Sequence, residues 1–182
     1  VSDNSNLDFD TTSSYTLSLT VSDGTNTSAV ETVAITVTDI ATAITPTQSF
    51  AVAETAANGT SVGTVATTGD APASFAIIAG NTGSAFAIDN NGNITIADTA
   101  AIDYETLTSY NLTVQASDGT TPVSETVTIN VTDVNEAAVG AVSDTDATAN
   151  TVAEDAIVGS TVGITGFADD PDGTDTVTYS LS

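Results

Sequence analysis

The chain contains no lysine, arginine or histidine, and no cysteine, methionine or tryptophan. The first absence has the widest consequences. No side-chain salt bridge can form, so each of the 24 Asp and Glu residues must face water, a backbone N–H or an external cation. A nucleic-acid partner is excluded, because phosphate recognition rests on Lys and Arg. Attraction to an anionic membrane surface fails for the same reason. Nucleophile–base pairs built on His, Cys or Lys cannot be assembled, so the chain does not read as an enzyme. The absence of Cys rules out disulfides and leaves the redox compartment open. No apolar run approaches the ~20 residues that span a bilayer, and no secretory leader is visible.

A chain of 182 residues allows about two ordinary domains. Its residues are 40% hydrophobic, so a core can form despite a formal net charge of −24. Disordered chains pair high charge with low hydrophobicity, and the second half of that signature is missing. Self-repulsion at such a charge opposes compaction. Two arrangements relieve it: carboxylates spread over the surface and screened by salt, or carboxylates gathered around divalent cations.

An internal repeat organises the sequence. Residues 14–40 align with 109–134, and residues 50–70 with 150–172, a period of one small sandwich domain. Within the repeats, apolar and polar residues alternate. Tyr15, Leu17, Leu19 and Val21 form one such series, and Val33, Ile35 and Val37 a second. Tyr110, Leu112 and Val114 form a third, and Val127, Ile129 and Val131 a fourth. This period of two predicts half-buried strands, and the abundance of Val and Thr suits a pleated surface. Asn91-Gly92 predicts a hairpin across Phe86–Ile96. The Ser-Asp-Gly runs at 22–24 and 117–119 mark loops. No segment has a helical period, although 98–108 could hold one short turn. The expected layout is the C-terminal part of one repeat (1–40), a complete repeat (41–135) and the N-terminal part of a third (136–182). Because the chain starts at Val1 and both ends fall inside repeats, it reads as an excerpt of a longer polypeptide.

The acids recur at matching strand ends, whereas outward mid-strand positions mostly carry Thr or Ser. Glu54 and Glu154 follow the expected first strand of their repeats. Asp103 and Glu105 flank Tyr104 ahead of the Tyr110 strand. Asp133, Asn135 and Glu136 leave the last strand, and Asp170 and Asp172 flank Pro171. Placement of this kind favours cation binding over a merely solvated surface. It also argues against reading the carboxylate pairs as a glycosidase centre.

In these residues the chain resembles the cadherin family. Ile102–Glu105 is similar to the family's L-D-x-E segment, and Val131–Glu136 to its D-x-N-D-N linker. Glu54 matches the N-terminal glutamate, Ala116–Gly119 the A-x-D-x segment, and Asp170 and Asp172 the D-A-D pair. The wording is closer to lysine-poor bacterial surface adhesins of the RTX type than to animal cadherins. The resemblance implies an all-β fold of tandem Greek-key, immunoglobulin-like sandwiches. It also implies Ca2+ between successive repeats. At the second joint the ligands would be Glu54, Asp103, Glu105, Asp133, Asn135, Glu136, Asp170 and Asp172. Calcium takes 6–8 oxygen ligands in loose geometry, so two or three ions are expected there.

The first joint departs from the pattern. Asp8, Asp10, Asp39 and Asp70 are present, with Asp118 able to contribute. However, Ala41 and Thr42 replace the linker's Asn and acid, and Thr68 replaces an aspartate. A weaker metal site and a hinge are expected there. Tyr104 reads as a packing residue. The Asn-x-Ser/Thr sequons at Asn26, Asn58, Asn93, Asn111 and Asn130 are about as many as so Ser/Thr-rich a chain yields by chance.

The resemblance implies a calcium-rigidified extender of a secreted or cell-surface adhesin or filament protein, with adjacent repeats as its partners. Homophilic binding to other copies, or binding to cell-surface glycans, is the alternative, although no aromatic platform is apparent. Head-to-tail assembly through the terminal half-repeats is a further alternative.

Overall fold

The computed structural model describes Asn4 and residues 7–181, so parts of the expected 1–40 and 136–182 portions lie outside the described residues. Thirteen strands are assigned among them. β1 (Ser14–Leu19) and β2 (Glu31–Thr36) come first, followed by β3 (Ala43–Ile44), β4 (Gln48–Ala53), β5 (Ser61–Thr64), β6 (Thr67–Thr68) and β7 (Ser74–Ala79). β8 (Phe86–Ile88), β9 (Asn93–Ile96), β10 (Ser109–Ser117) and β11 (Val123–Thr132) continue the chain, and β12 (Ser143–Asp144) and β13 (Gly166–Phe167) end it. The only helical turns among the described residues are 3-10, at Thr82–Ser84 and Thr99–Ala101. No helix among them is long and apolar enough to cross a membrane.

The central part is a Greek-key β-sandwich. One sheet has the order β4-β11-β10-β7 and the other β5-β9-β8. Alternation places Tyr110, Leu112, Val114 and Ala116 of β10 inward, with Val127, Ile129 and Val131 of β11 beside them. Phe86, Ile94 and Ile96 of β8 and β9 join the core from the other sheet. The Phe86 and Tyr110 rings meet edge to face at 5.0 Å, an arrangement aromatic quadrupoles favour. The expected hairpin is β8–β9. Gly92 adopts φ +80° in its turn, and Asp89 Oδ1 accepts from the N–H groups of Asn91 and Asn93.

Two pairings decide which side chains share an end of the sandwich. β4 runs parallel to β11, with Ala53 beside Thr132, so Glu54 emerges next to Asp133. β10 runs antiparallel to β11, with Ser109 beside Asn130, so the 103–105 segment leads in at that same end. At the opposite end, Ser74 pairs with Ser117, which brings Asp70 and Asp118 toward the first joint.

The flanking portions are thinner. β1 and β2 form a hairpin whose register matches that of β10–β11. Its apolar face is open to solvent: Leu17 is 45% exposed and Ile35 44%, whereas the matching Leu112 and Ile129 are 0%. Beyond residue 136, only the two-residue β12 and β13 form among the described residues. The first strand expected before Glu154 is not formed. Residues 150–153 match β4 in sequence, but β4 is held by β11, and no comparable strand lies beside 150–153 among the described residues. Glu154 is accordingly exposed.

Candidate metal centre

Glu54 is the most constrained acid of the set. It is only 3% exposed, yet no cationic side chain exists to pair with it. Its Oε2 accepts from Tyr104 N–H at 2.6 Å and its Oε1 from Val134 N–H at 2.8 Å. These bonds tie the end of β4 to the 103–105 segment and to the strand exit. Charge-assisted bonds from backbone amides are the usual way to hold a buried carboxylate. Tyr104 itself packs against the core, as a structural residue does.

Around Glu54 the remaining acids converge. Glu54, Asp103 and Glu105 bring one carboxylate oxygen each within 4.8 Å of one another. Glu105, Glu136 and Asp172 form a second such group, so Glu105 belongs to both. Asp103 is oriented by Thr106, whose N–H and hydroxyl donate to its two oxygens at 3.0 and 2.9 Å. Asp172 comes from the third portion and is 3% exposed; its Oδ2 accepts from Ala137 N–H at 2.8 Å. Asp170 Oδ1 accepts from Asp172 N–H at 3.2 Å and so shapes the loop behind it.

Asp133 belongs to neither group but feels the charges of Glu54 and Asp172, and Asn135 follows it in the chain. Thr174 Oγ1 donates to Asp133 Oδ2, and Asn135 Nδ2 donates to Asp175 Oδ2. Asp133 Oδ1 is buried with no hydrogen-bond partner. Such an acceptor is rare, and it calls for a ligand to complete it. Asp175 and Thr174 escaped the sequence reading. The available signal was a further acid three residues after Asp172, in the same loop.

The electrostatics follow from crowding. Asp133 is raised from its ordinary value by loss of water, then by the charges of Asp175, Glu54 and Asp172. Glu136 is raised by loss of water and by Glu54, Asp172 and Glu105. At Glu105 its own backbone amide lowers the value, but desolvation and the charges of Glu54, Asp133 and Asp172 outweigh it. At the first joint Asp10 is raised by loss of water and then by Asp118, Asp39, Asp8 and Asp70, so those acids also lie near one another. Asp118 is held far below its usual range by Thr120, whose N–H and hydroxyl donate at 2.9 and 2.7 Å. Asp8 is lowered by its bond from the Thr11 hydroxyl. Asp39 is exposed.

These opposite directions give a signed pH dependence for the metal-free chain. Raised carboxylates contribute stability that is present at low pH and lost as pH rises through their folded values. Lowered ones, Asp8, Asp23, Asp89, Asp118, Asp144 and Asp146, contribute stability that is lost as pH falls below the ordinary carboxylate range. The melting temperature is therefore expected to rise as pH falls through the folded values of the raised carboxylates, and to fall again once pH drops below the ordinary carboxylate range. Scanning calorimetry of metal-free protein checks this, and a monotonic fall from pH 7 contradicts it.

Residues 48–132 match the family model of the cadherin domain. The chain carries a cadherin-like repeat. Human Protocadherin Fat 1 is 39% identical over 147 residues, an alignment that covers 72% of this chain and 3% of that protein. The chain thus spans a small part of that relative's length. The crystal structure of mouse Protocadherin-24 EC1-3 is similar over 91% of this chain and 58% of its own, at 25% identity and a TM-score of 0.57. The Protocadherin GammaB4 extracellular domain is similar over 90% of this chain and 27% of its own, at 23% identity and a TM-score of 0.63, which shows the fold alone. The cadherin-like repeat places Glu54, Asp103, Glu105 and Asp133 at one end of a sandwich, and the linker and third portion supply Asn135, Glu136, Asp170 and Asp172 beside them.

Proposed function

We propose that this chain is a calcium-rigidified stretch of tandem cadherin-like repeats, serving as a structural extender in an extracellular adhesive or filament protein. The carrying observation is the acidic end of the central repeat. Hard carboxylate oxygens from two repeats converge there, no cation of the chain can neutralise them, and one buried oxygen of Asp133 lacks a partner. Such a donor set suits a divalent cation that prefers oxygen.

Glu54, Asp103, Glu105, Glu136 and Asp172 would hold calcium, with Asp133, Asn135 and Asp170 completing the set. Bound calcium supplies positive charge that offsets carboxylate repulsion. The chain's own residues do the orienting: the Tyr104 and Val134 amides fix Glu54, Thr106 fixes Asp103, and Ala137 N–H fixes Asp172. Because ligands come from both sides of the linker, filling the site locks the central repeat to the third.

Among the described residues, neither catalysis nor glycan recognition has a comparable cluster of groups to support it. The match to a human protocadherin supports the adhesive reading, and the setting among lysine-poor bacterial surface adhesins rests on composition alone. Small-angle X-ray scattering tests the extender reading. The longest dimension should be sharply defined in calcium, and the profile should broaden to that of a flexible chain in chelator. Identical profiles in both would sink the idea.

A further inference from the structure

We infer that Asn58 is a positioning residue for the metal centre, clamping the loop that carries Glu54 to the turn that delivers Asp103 and Glu105. This inference rests on the calcium reading of that centre.

The Glu54–Asp103–Glu105 group joins two stretches that lie far apart in the sequence. Asn58 stands four residues after Glu54, and Thr99 stands four residues before Asp103. Asn58 Oδ1 accepts from Thr99 N–H at 2.7 Å. The Thr99 hydroxyl lies 2.7 Å from that same oxygen and 2.9 Å from the Ala56 carbonyl. Its one proton goes to either acceptor, and both belong to the Glu54 loop.

Each side of the clamp is itself anchored. Gly59 N–H donates to the Ile96 carbonyl at 2.8 Å, and Ile96 N–H donates to the Thr60 carbonyl at 3.0 Å, which fixes the Asn58 loop to the end of β9. On the other side, Asp98 Oδ1 accepts from Ala100 N–H at 3.1 Å, the Tyr110 hydroxyl donates to the Ala101 carbonyl, and Ile102 is buried. The chain therefore runs from a fixed turn directly into Asp103.

Three carboxylates whose oxygens approach within 4.8 Å repel one another when no ion lies between them. That repulsion pushes the two stretches apart. The neutral Asn58–Thr99 bond opposes it without adding charge. A site held near its binding geometry loses less freedom when the ion arrives. The clamp is a feature of the central repeat and not of the repeat pattern: the matching position of the third portion is Val158, which has no side-chain acceptor.

Amide chemical shifts of the full 182-residue chain, followed while calcium chloride is added, test the clamp. Tyr104 and Thr106 N–H donate to Glu54 and Asp103, and Ala137 N–H donates to Asp172, so these amides report on the two acid groups. Asn58→Ala, at an exposed position, should raise the calcium midpoint at Tyr104 and Thr106 by about tenfold, and by less at Ala137. Asn58→Asp keeps the accepting oxygen and should restore the midpoint. Ala57→Asp combined with Asn58→Ala adds the same charge at the exposed neighbouring position, without the acceptor, and should leave the midpoint raised. A rise below about threefold in Asn58→Ala overturns the inference. So do equal rises at all three amides, failure of Asn58→Asp to restore the midpoint, or restoration by Ala57→Asp. If no amide of the unaltered chain shifts, the calcium reading falls and the clamp's role falls with it.

Discussion

Melting in calcium at about one hundred times the dissociation constant is expected more than about 10 °C above melting in chelator. Binding that is confined to the folded state adds RT ln(1 + [L]/Kd), about 2.7 kcal/mol per site at that excess. One kcal/mol moves the midpoint of a domain of 60–100 residues by about 4–8 °C. A single filled site is therefore enough, and the acid groups that share Glu105 offer two places for one. Glu105→Gln should remove most of the increment and leave the chelator midpoint equal or slightly higher, because Glu105 sits among like charges. Equal midpoints with and without calcium would falsify the proposal. Magnesium, which demands tighter octahedral geometry, should substitute poorly.

Leu112→Ala should destabilise the central repeat by about 3 kcal/mol, whereas Leu17→Ala should cost less than about 1 kcal/mol. The two leucines occupy corresponding places in corresponding hairpins. Leu112 is fully buried between the sheets, and Leu17 is 45% exposed. Removing Leu112 loses both the transfer energy of its methyls and the contacts around the space left behind. Urea denaturation of each variant measures the contrast, and equal losses would show that the β1–β2 face is covered in solution.

The strands were legible where local chemistry decides them. Alternation marked β1, β2, β10 and β11, and Asn91-Gly92 marked the β8–β9 turn. Pairing between distant segments was not legible. Gln48 lies beside Val127 across nearly eighty residues, and no local pattern states that register. For the site, the acids at strand ends were readable, and the family resemblance supplied their grouping. The near-complete burial of Glu54 was not readable, because it depends on amides from two other segments. Asp175 was missed because its role comes from where the third portion folds back toward Asn135. The first strand of that portion failed for the opposite reason: the pattern is present, and no neighbouring strand among the described residues holds it.

The parallel pairing of β4 with β11 has a mechanical consequence. Chain enters the sandwich near Gln48 and leaves it beyond Thr132, at opposite ends of two adjacent strands that point the same way. A pull on the two ends therefore slides these strands past each other along their length. The ladder between Gln48–Ala53 and Val127–Thr132 is loaded all at once, in shear, and cannot be unzipped bond by bond. A repeat wired in this way resists stretching through its first and last long strands, whatever the rest of the sandwich contributes to its equilibrium stability.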